Sequence, residues 1–489
     1  MDIIAESLKN GIVDFGKARE NFAKNPQGFA EFVMDIQKAL NRIGVAVIAD
    51  ALESRDQWIR ESPARKDRYD IVRKDRKQLI TSLGTVSFEK TLFRDKTTGQ
   101  SAYLLDRLLG MESHQRMTED AVTNILTEAV QTSYRKAGDE TCCNEEQVSK
   151  ETVMEVLHSL EFPEEQAVHE KKQVEHLYID ADEDHISLQF REKKGDLAAG
   201  ENGYKNNTVL GKLVYVYEGI ERDAPRSIRH RLINPHYFSG VYSGEDNDTL
   251  WKEVWKYIEN HYDIDHLKKI YVNGDGAAWI KASKKHLYHC VQVLDEFHLE
   301  KYLVKMTSHM KDSQLDSIQE LKKIIKDGSK AEFRECSKRI KECTEERNRL
   351  SRIEECETYV LSNWGAAKLR LVERKDIRGC SAEGHVSHVL SARMSSRPMG
   401  WSRRGADRMC RLRAYDLNKG DMLELVRYQK KWTLKKAAGA EEEEILSAHQ
   451  VLLSERNRNG ELGKYMDILH VDISLQTRER IYFRNHFRL

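Results

Sequence analysis

The order of strand-like and helical segments between residues 173 and 303 constrains the fold of this chain most strongly. Segments that alternate like strands come first, in VEHLYIDADEDHISLQF, GKLVYVYEGI and HRLINPHYFSGVYSG. The amphipathic helix DTLWKEVWKYIENHY follows, and KKIYVNGDGAAWIKAS and YHCVQVLDEFHLEKYL each add a short apolar strand and a helix. A strand meander followed by alternating helices and strands predicts an α/β fold with a mixed sheet.

The segment before this region predicts helices interrupted by a β-hairpin. Apolar residues between positions 30 and 40 recur at helical spacing, which predicts helices up to about residue 75. From Gln78 the pattern ITSLGTVSFEKTLFRD alternates with period two around Leu83 and Gly84, which predicts the hairpin.

Two further helices are predicted before the α/β region. They are TEDAVTNILTEAVQTSY, with Thr118 as its cap, and VSKETVMEVLHSL, with Ser149 as its cap. The pair resembles a helix-turn-helix, in which Lys150 and Thr152 would contact DNA. Any helical hairpin gives the same pattern, so both interpretations stay open.

The segment from Met306 onward is highly charged. SIQELKKIIKDG and AEFRECSKRIKECTEERNRL predict two antiparallel helices, which we interpret as a solvated hairpin inserted into the α/β domain. Cys336 and Cys343 lie in step with the apolar positions, so we predict that both are buried. The chain has 8 cysteines and no C-x-x-C pair, which argues against a zinc module or a disulfide framework.

These patterns divide the chain into six predicted regions around an RNase H-like core, although periodicity alone does not separate that core from other α/β sheets. The regions are an N-terminal helical region (1–75), a β-hairpin with a helix-turn-helix-like DNA-binding part (76–170), the first part of the core (171–305), a helical insertion (306–365), the final core helix with an arginine-rich segment (366–418) and a C-terminal helical tail (419–489).

Composition excludes a general electrostatic attraction to nucleic acid. Lys plus Arg and Asp plus Glu are both 80, so the net charge is zero and any DNA affinity must come from local clusters. No run of 18 apolar residues predicts a membrane span, and the acidic, amphipathic start does not read as a signal peptide. We therefore expect no membrane association and a cytoplasmic location.

Three acidic residues stand out because of their places in the predicted elements. Asp182 lies in the first core strand, Asp275 ends a later apolar strand, and Glu383 opens the helix in GCSAEGHVSHVLSARM. Helical spacing puts Glu383 on one face with Val386 and Leu390, so we expect it to point toward the sheet. Carboxylates that converge at strand ends are suited to binding divalent cations for phosphoryl transfer.

Each acid also has a structural interpretation. Asp275, between two glycines, is typical of a turn residue, and Glu383 with Ser381 is typical of a helix start. Asp180 shares strand parity with Asp182 and is the alternative first acid. An acidic cluster in a solvated hairpin is more common than a metal site.

Arginines follow Glu383 closely and surround an aromatic residue, Trp401. This composition favours contacts with DNA phosphates and stacking on an unpaired base, although a solvated surface and a packed tryptophan would give the same pattern. The residues assigned to DNA here are Arg393, Arg397, Trp401, Arg403, Arg404, Arg408 and Arg411, with Arg413 ending the run. His298 follows the Asp275 unit and reads either as a core histidine or as a neighbour of the acids.

These segments together resemble a known family. YIDADEDHISLQ, IYVNGDGAAWIK with VLDEFHLEKYL, and GCSAEGHVSHVLSARMSSRPMGWS are similar to the ISLre-type insertion-sequence transposases of bacteria, long grouped as an uncharacterised family. The resemblance covers nearly the whole chain. It implies a DDE-type transposase with an RNase H-like core, in which Asp182, Asp275 and Glu383 hold two Mg²⁺ or Mn²⁺ ions.

The resemblance further implies cleavage and strand transfer of insertion-sequence DNA. The expected partners are insertion-sequence ends, target DNA and further copies of the chain, and the expected location is the bacterial nucleoid. Alternatives are an RNase H-like nuclease without strand transfer and a relic that binds DNA without chemistry. A hydrolase of sugars with two carboxylates is remote, since no aromatic cleft supports it.

Overall fold

The computed structural model describes residues 3–112, 114–142, 147–189, 207–373, 377, 380–397 and 399–437. Contacts between backbones divide the chain into two compact units. One unit contains Met1–Val156 and Met422–Leu489, and the other contains Leu157–Asp421.

The elements follow one another in a mixed α/β order. Those up to the boundary helix are α1 (Ile3–Lys24), α2 (Phe29–Glu61), α3 (Pro63–Arg68), β1 (Tyr69–Thr81), β2 (Gly84–Asp95), β3 (Ser101–Tyr103), α4 (Leu104–Leu108), α5 (Glu119–Gln131), α6 (Tyr134–Asp139) and α7 (Lys150–Ser159). The second unit continues with β4 (His176–Ser187), β5 (Thr208–Tyr217), β6 (Gly219–Arg222), β7 (His230–Ile233), β8 (His236–Val241), α8 (Asp246–His261), β9 (Lys269–Gly274), α9 (Ala278–Lys281), β10 (Cys290–Leu294), α10 (Glu296–Thr307), α11 (Gln314–Asp327), α12 (Lys330–Glu342), α13 (Arg347–Ser362), α14 (Trp364–Val372), α15 (Ala382–Val386), α16 (Ala392–Met394) and α17 (Arg403–Leu417). The first unit ends with α18 (Met422–Ala437), and a π-helical turn, Ser387–Ser391, joins α15 to α16.

The predicted β-hairpin is confirmed, but its first strand starts earlier than expected. β1 and β2 pair antiparallel from Tyr69↔Asp95 to Thr81↔Gly84, and β3 adds to β2. β1 is mostly exposed over its first half. The first half of β1 carries many charged residues, so it shows no alternating apolar pattern in the sequence. Charged side chains of this kind keep exposed edge strands from pairing with further strands.

The two predicted helix caps behave differently. Ser149 Oγ accepts the backbone N–H of Thr152 at 3.2 Å, so the predicted cap of α7 is confirmed. Thr118 stands at the N-terminus of α5, but its hydroxyl donates to Ile80 O at 3.1 Å and caps nothing. Cys143 lies outside the described residues.

Among the described residues, a mixed five-stranded sheet forms the centre of the second unit, with strand order β10-β9-β4-β5-β8. β4, β5 and β8 pair antiparallel, whereas β9 and β10 run parallel to β4. An antiparallel meander extended by parallel strands with intervening helices is the predicted RNase H-like α/β fold. Only β8 of the segment HRLINPHYFSGVYSG joins this sheet, because β7 pairs with β6 in a separate ribbon.

The two faces of the sheet differ in chemistry because side chains alternate along each strand. One face buries Leu177, Ile179 and Ala181 against a core that includes Trp251 and Val254 of α8. The opposite face carries Tyr178, Asp180, Asp182 and the aromatic residues of the neighbouring strands. The acids of β4 therefore lie on the face opposite the apolar core.

The charged segment after Met306 is more than the solvated hairpin that was expected. Helices α10 to α14 share a core of their own, which includes Leu321, Phe333 and Cys336. Cys343 is exposed, and the prediction of its burial was wrong. α12 ends at Glu342, so the buried stripe of that helix stops before Cys343.

In the part of the chain that the structure describes, no helix is both long and apolar enough to cross a membrane.

Candidate active site

The ends of two adjacent parallel strands bring Asp182 and Asp275 together. In the register of β4 and β9, Asp180 pairs with Asn273. Asp182 is two residues further along β4, and Asp275 is two residues beyond Asn273. Parallel strands place their carboxyl ends at the same edge of a sheet, which is where α/β proteins bind ligands.

The electrostatics of Asp182 reflect this proximity. Burial raises the pKa of Asp182 to about 6, and the negative charge of Asp275 contributes in the same direction. Burial likewise raises the pKa of Glu183, and the negative charge of Asp275 contributes in the same direction. A site that disfavours its own negative charge is stabilised by a bound cation or by protons.

His298 supplies positive charge beside the acids. Its Nδ1 lies 2.9 Å from Asp295 Oδ2, and this hydrogen bond raises the pKa of His298, with Asp275 and Asp182 adding to the shift. The backbone N–H of Asp295 donates to Gly274 O at 2.9 Å, which fixes the start of α10 next to Asp275. The structure thus places His298 next to the acids.

The turn that carries Asp275 is held by the helices of the insertion. Asp275 Oδ1 accepts the Ala277 N–H at 2.8 Å, as a turn aspartate does, and Tyr359 Oη donates to Asp275 O at 2.6 Å. Gly276 has φ +84°, and a Cβ there would lie 2.4 Å from Asn363 Oδ1. The turn requires glycine, and α13 and α14 fix its position.

Asp180 is the most hydrogen-bonded acid of the region and is fully buried. Tyr215 Oη donates to its Oδ2 at 2.8 Å and Tyr217 Oη to its Oδ1 at 3.1 Å. Asn273 Nδ2 donates to Oδ1 at 2.7 Å and the Ser381 N–H to Oδ2 at 2.9 Å. Burial raises the pKa of Asp180, and these donors oppose that shift. Because its oxygens are already occupied, Asp182 is the better placed first acid.

Glu383 lies near this strand but does not point into the sheet. α15 lies against β4, and the bond from Ser381 N to Asp180 Oδ2 attaches its start there. Ala382 and Val386, four residues apart, form the buried stripe, and Glu383 on its shoulder is exposed. The expectation of an inward Glu383 was therefore wrong. The π-helical turn at Ser387–Ser391 changes the phase that had aligned it with Leu390.

The donor set of the site is suited to a hard cation only in part. Asp182 and Asp275 offer the oxygen ligands that Mg²⁺ prefers. Within the described ranges, no three or more His, Cys, Asp or Glu side chains come together closely enough to hold a metal ion. The structure thus places Asp182 near Asp275 and His298 without forming a three-ligand group, and it leaves Glu383 exposed.

Part of the arginine-rich segment is packed inside the protein. Arg393 is 5% exposed and stacks over the ring of Trp401 at 4.8 Å. Trp401 is also 5% exposed, and its Nε1 donates to Met394 O at 3.0 Å. Contrary to the DNA-contact prediction, neither side chain is accessible to DNA in this conformation, because both fill the space next to β4.

The other arginines divide into paired and exposed groups. Arg408 forms an ion pair with Glu161 at 2.9 Å, and Arg411 bonds Asp407 at 3.3 Å. Arg413 donates to His388 O at 2.8 Å. The exposed members are Arg397, Arg403 and Arg404. These three remain accessible to a DNA backbone.

The predicted DNA-contacting residues of α7 show mixed surroundings. Lys150 is exposed and lies 3.6 Å from the carboxylate of Glu151. Thr152 Oγ1 lies 3.1 Å from Ser149 Oγ, within the cap. The neighbouring acid weakens the positive potential that DNA contact requires.

A buried polar link escaped the sequence patterns. Arg370 of α14 is 2% exposed and donates to Asn273 Oδ1 at 3.0 Å, while Asn273 Nδ2 donates to Asp180. The link joins the insertion helices to both acid-bearing strands. A buried arginine on a helix gives no periodic signal, so only the fold identifies it.

Comparison with known proteins identifies the family. The profile of the uncharacterised protein family UPF0236 matches residues 22–432. The chain belongs to this family. A UPF0236 protein of Caldanaerobacter subterraneus subsp. tengcongensis is 34% identical over 425 residues, covering 87% of this chain and 85% of its own, and its name lists eleven loci. A UPF0236 protein of Streptococcus gallolyticus, named from the 3′ region of vanSb, is 24% identical over 79% of this chain and 82% of its own.

Among solved structures, the Drosophila P element transposase strand transfer complex is similar over 66% of this chain and 83% of its own, with 11% identity and a TM-score of 0.22. A TM-score of this size does not establish a shared fold.

Proposed function

We propose that this UPF0236 protein is a DDE-type transposase of the ISLre type, which cleaves and joins insertion-sequence DNA with Mg²⁺ or Mn²⁺. The observation that carries the proposal is the pairing of Asp182 and Asp275 at the ends of adjacent parallel strands, with the pKa of Asp182 raised to about 6. A partly buried pair of acids is suited to holding cations between itself and a phosphodiester.

The relatives give independent support. The name of the Caldanaerobacter protein covers eleven loci, so one sequence occurs many times in that genome. Repeated copies of a single protein sequence are what a mobile element produces as it spreads. The repeated copies belong to the relative, and we extend the inference of a mobile element to the present chain because both belong to the same family.

In the proposed mechanism the chain positions the reacting groups. Bound Mg²⁺ or Mn²⁺ would supply Lewis-acid chemistry for the displacement at a phosphodiester. Asp182 and Asp275 would supply carboxylate oxygens to such an ion, whereas Glu383, the third acid that the family resemblance implies, is exposed on α15. The bond from Ala277 N to Asp275 Oδ1 orients that carboxylate, and the charge of His298 offsets the repulsion within the acid pair.

Of the arginine-rich segment, only the exposed arginines are retained as the surface that would hold DNA. Arg397, Arg403 and Arg404 are accessible, and α17 begins at Arg403. Exposed arginines bind phosphates without reading sequence. We assign to them retention of the DNA backbone rather than recognition of the terminal repeats.

The proposal is tested with the full chain and DNA that carries the ends of its own element. Those ends would be identified by a search of the DNA flanking the gene for inverted repeats bounded by short direct repeats. We expect cutting at the ends in Mg²⁺ or Mn²⁺, and joined products when a pre-cleaved 3′ end is supplied. Cutting without joining would indicate a nuclease instead.

A second candidate, a relic that binds DNA without chemistry, is favoured by the exposure of Glu383 and by the absence of a three-ligand group within the described residues. It predicts binding of the element ends with no cutting in either metal. That outcome would remove the proposed activity and leave the DNA partner in place.

A further inference from the structure

A pocket lies beside the turn that carries Asp275. It has a volume of about 550 Å³, within the range of sites for small ligands. Its walls come from β10, from the segment after α9 and from the start of α14. The lining residues are Lys281, Lys284, Cys290, Val291, Gln292, Ser362, Asn363, Gly365, Ala366 and Leu369.

The charge of this pocket is positive. Lys281 and Lys284 line it, and no acidic side chain is among the described residues that do. Neither lysine forms an ion pair with a carboxylate in the described ranges, where many other lysines do. In a chain with 80 acidic and 80 basic residues, unpaired cations in one cavity favour an anionic ligand.

The start of α14 adds to this potential. α14 has nine residues, and Gly365 and Ala366 of its first turn line the pocket. The first N–H groups of a helix have no partner within the helix, and they bind anions with the help of the helix dipole. Asn363 occupies the cap position, but its side chain accepts no capping hydrogen bond. The N–H groups of the first turn are therefore left for a ligand.

Asn363 contributes to the wall of the pocket without offering its side-chain oxygen to the cavity. The residue is 4% exposed, and its Nδ2 donates to Tyr359 O at 3.0 Å. Its Oδ1 is buried and lies against Gly276, where a Cβ would be 2.4 Å away. Asn363 therefore connects the pocket to the turn that carries Asp275.

We propose that this pocket binds a nucleotide of the DNA strand next to the attacked phosphodiester, which rests on the proposed function. Lys281, Lys284 and the N-terminus of α14 hold the phosphate. Val291 and Leu369 provide an apolar wall for the sugar and base. Asn363 packs directly against Gly276, so the pocket adjoins the residue that follows Asp275.

The test measures binding of a fluorescent 30-base-pair duplex in EDTA over a series of salt concentrations. The double variant Lys281→Ala/Lys284→Ala is expected to bind more weakly, with a salt dependence reduced by about 1 per lysine. Lys285→Ala is the control, compared per lysine removed, because it removes one charge from an exposed neighbour that does not line the pocket. An equal loss per lysine in the two proteins would overturn the proposal.

A second pair of variants does not depend on the lysines. A Cβ at Gly365 would meet nothing within 4 Å, so neither Gly365→Ala nor Gly365→Glu disturbs packing. We expect Gly365→Glu to weaken DNA binding by repelling the phosphate and Gly365→Ala to leave it unchanged. Unchanged binding of Gly365→Glu would place the phosphate elsewhere.

The source of the phosphate is tested by competition with free deoxyadenosine monophosphate and with inorganic phosphate. We expect neither to displace the duplex at millimolar concentration, and displacement by the free nucleotide alone would assign the pocket to a free nucleotide. These binding readouts are separate from cleavage. If the wild-type protein cuts DNA and the lysine variants bind DNA normally, only the proposed role of the pocket is refuted. If the lysine variants bind DNA more weakly but the wild-type protein cuts no DNA, only the proposed activity is refuted.

Discussion

The acid pair and the arginine-rich segment differ in how well the local sequence predicts where their side chains lie in the folded protein. Asp182 and Asp275 are far apart in sequence, and the register of β4 and β9 brings them to one edge. Arg393 and Trp401 lie close together in a segment that resembles a DNA-binding surface, yet both are buried. Position in a sheet was therefore a better guide to which side chains meet than local enrichment in one residue type was to which side chains are accessible.

The largest expected effect concerns the acid pair. Asp275→Asn removes a charged ligand and is expected to lower the rate of DNA cleavage by about 10³-fold or more, because bound metal supplies several kcal/mol to the transition state. Binding of DNA should persist. Asp265→Asn, at an exposed carboxylate, is the matched control. Cleavage by Asp275→Asn at the wild-type rate would remove this residue from the site.

The next effect tests whether Trp401 is packed or faces DNA. Trp401→Ala empties a buried site and should lower the free energy of unfolding by about 3–5 kcal/mol, as large-to-small changes in cores do. Thermal or denaturant unfolding measures the change. A variant that unfolds like the wild type but binds single-stranded DNA poorly would restore Trp401 to the DNA surface.

Two neighbouring acids of β4 should respond to substitution in opposite directions. The pKa of Asp182 is raised to about 6 from 3.8, so the folded protein loses stability as pH rises through this range, by up to about 3 kcal/mol above pH 6. Asp182→Asn should therefore stabilise the protein at pH 8 and change little at pH 4. Asp180→Asn presents an amide to several donors and should cost about 1–3 kcal/mol. Melting temperatures at the two pH values decide, and destabilisation by Asp182→Asn at pH 8 would contradict the electrostatics described above.

The smallest effect concerns the exposed arginines. Arg403→Ala and Arg404→Ala should each reduce the salt dependence of DNA binding by about 1 without changing stability by more than about 0.5 kcal/mol. Arg408→Ala should lower the stability and leave the salt dependence of DNA binding unchanged, because it breaks the ion pair with Glu161. A larger loss of DNA affinity from Arg408→Ala than from Arg403→Ala would show that the paired arginines are released for DNA.

The sequence patterns predicted the order of the core elements because apolar periodicity determines which segments become strands or helices. They missed the first half of β1, which is a charged edge strand, and they missed the core of the insertion, whose apolar positions are hidden among charges. The prediction of an inward Glu383 was wrong, because α15 buries Ala382 and Val386 and leaves Glu383 exposed. The roles of Asn273 and Arg370 depend on contacts between distant elements, and therefore only the three-dimensional structure identifies them.

Binding of Mn²⁺ to the intact protein tests the acid pair most directly. Titration followed by electron paramagnetic resonance should show tight sites in the wild type at pH 8, weaker binding below about pH 6 as Asp182 takes up a proton, and loss of those sites in Asp182→Asn/Asp275→Asn. Unaltered Mn²⁺ binding by that double variant would contradict the assignment of these two carboxylates as the metal ligands.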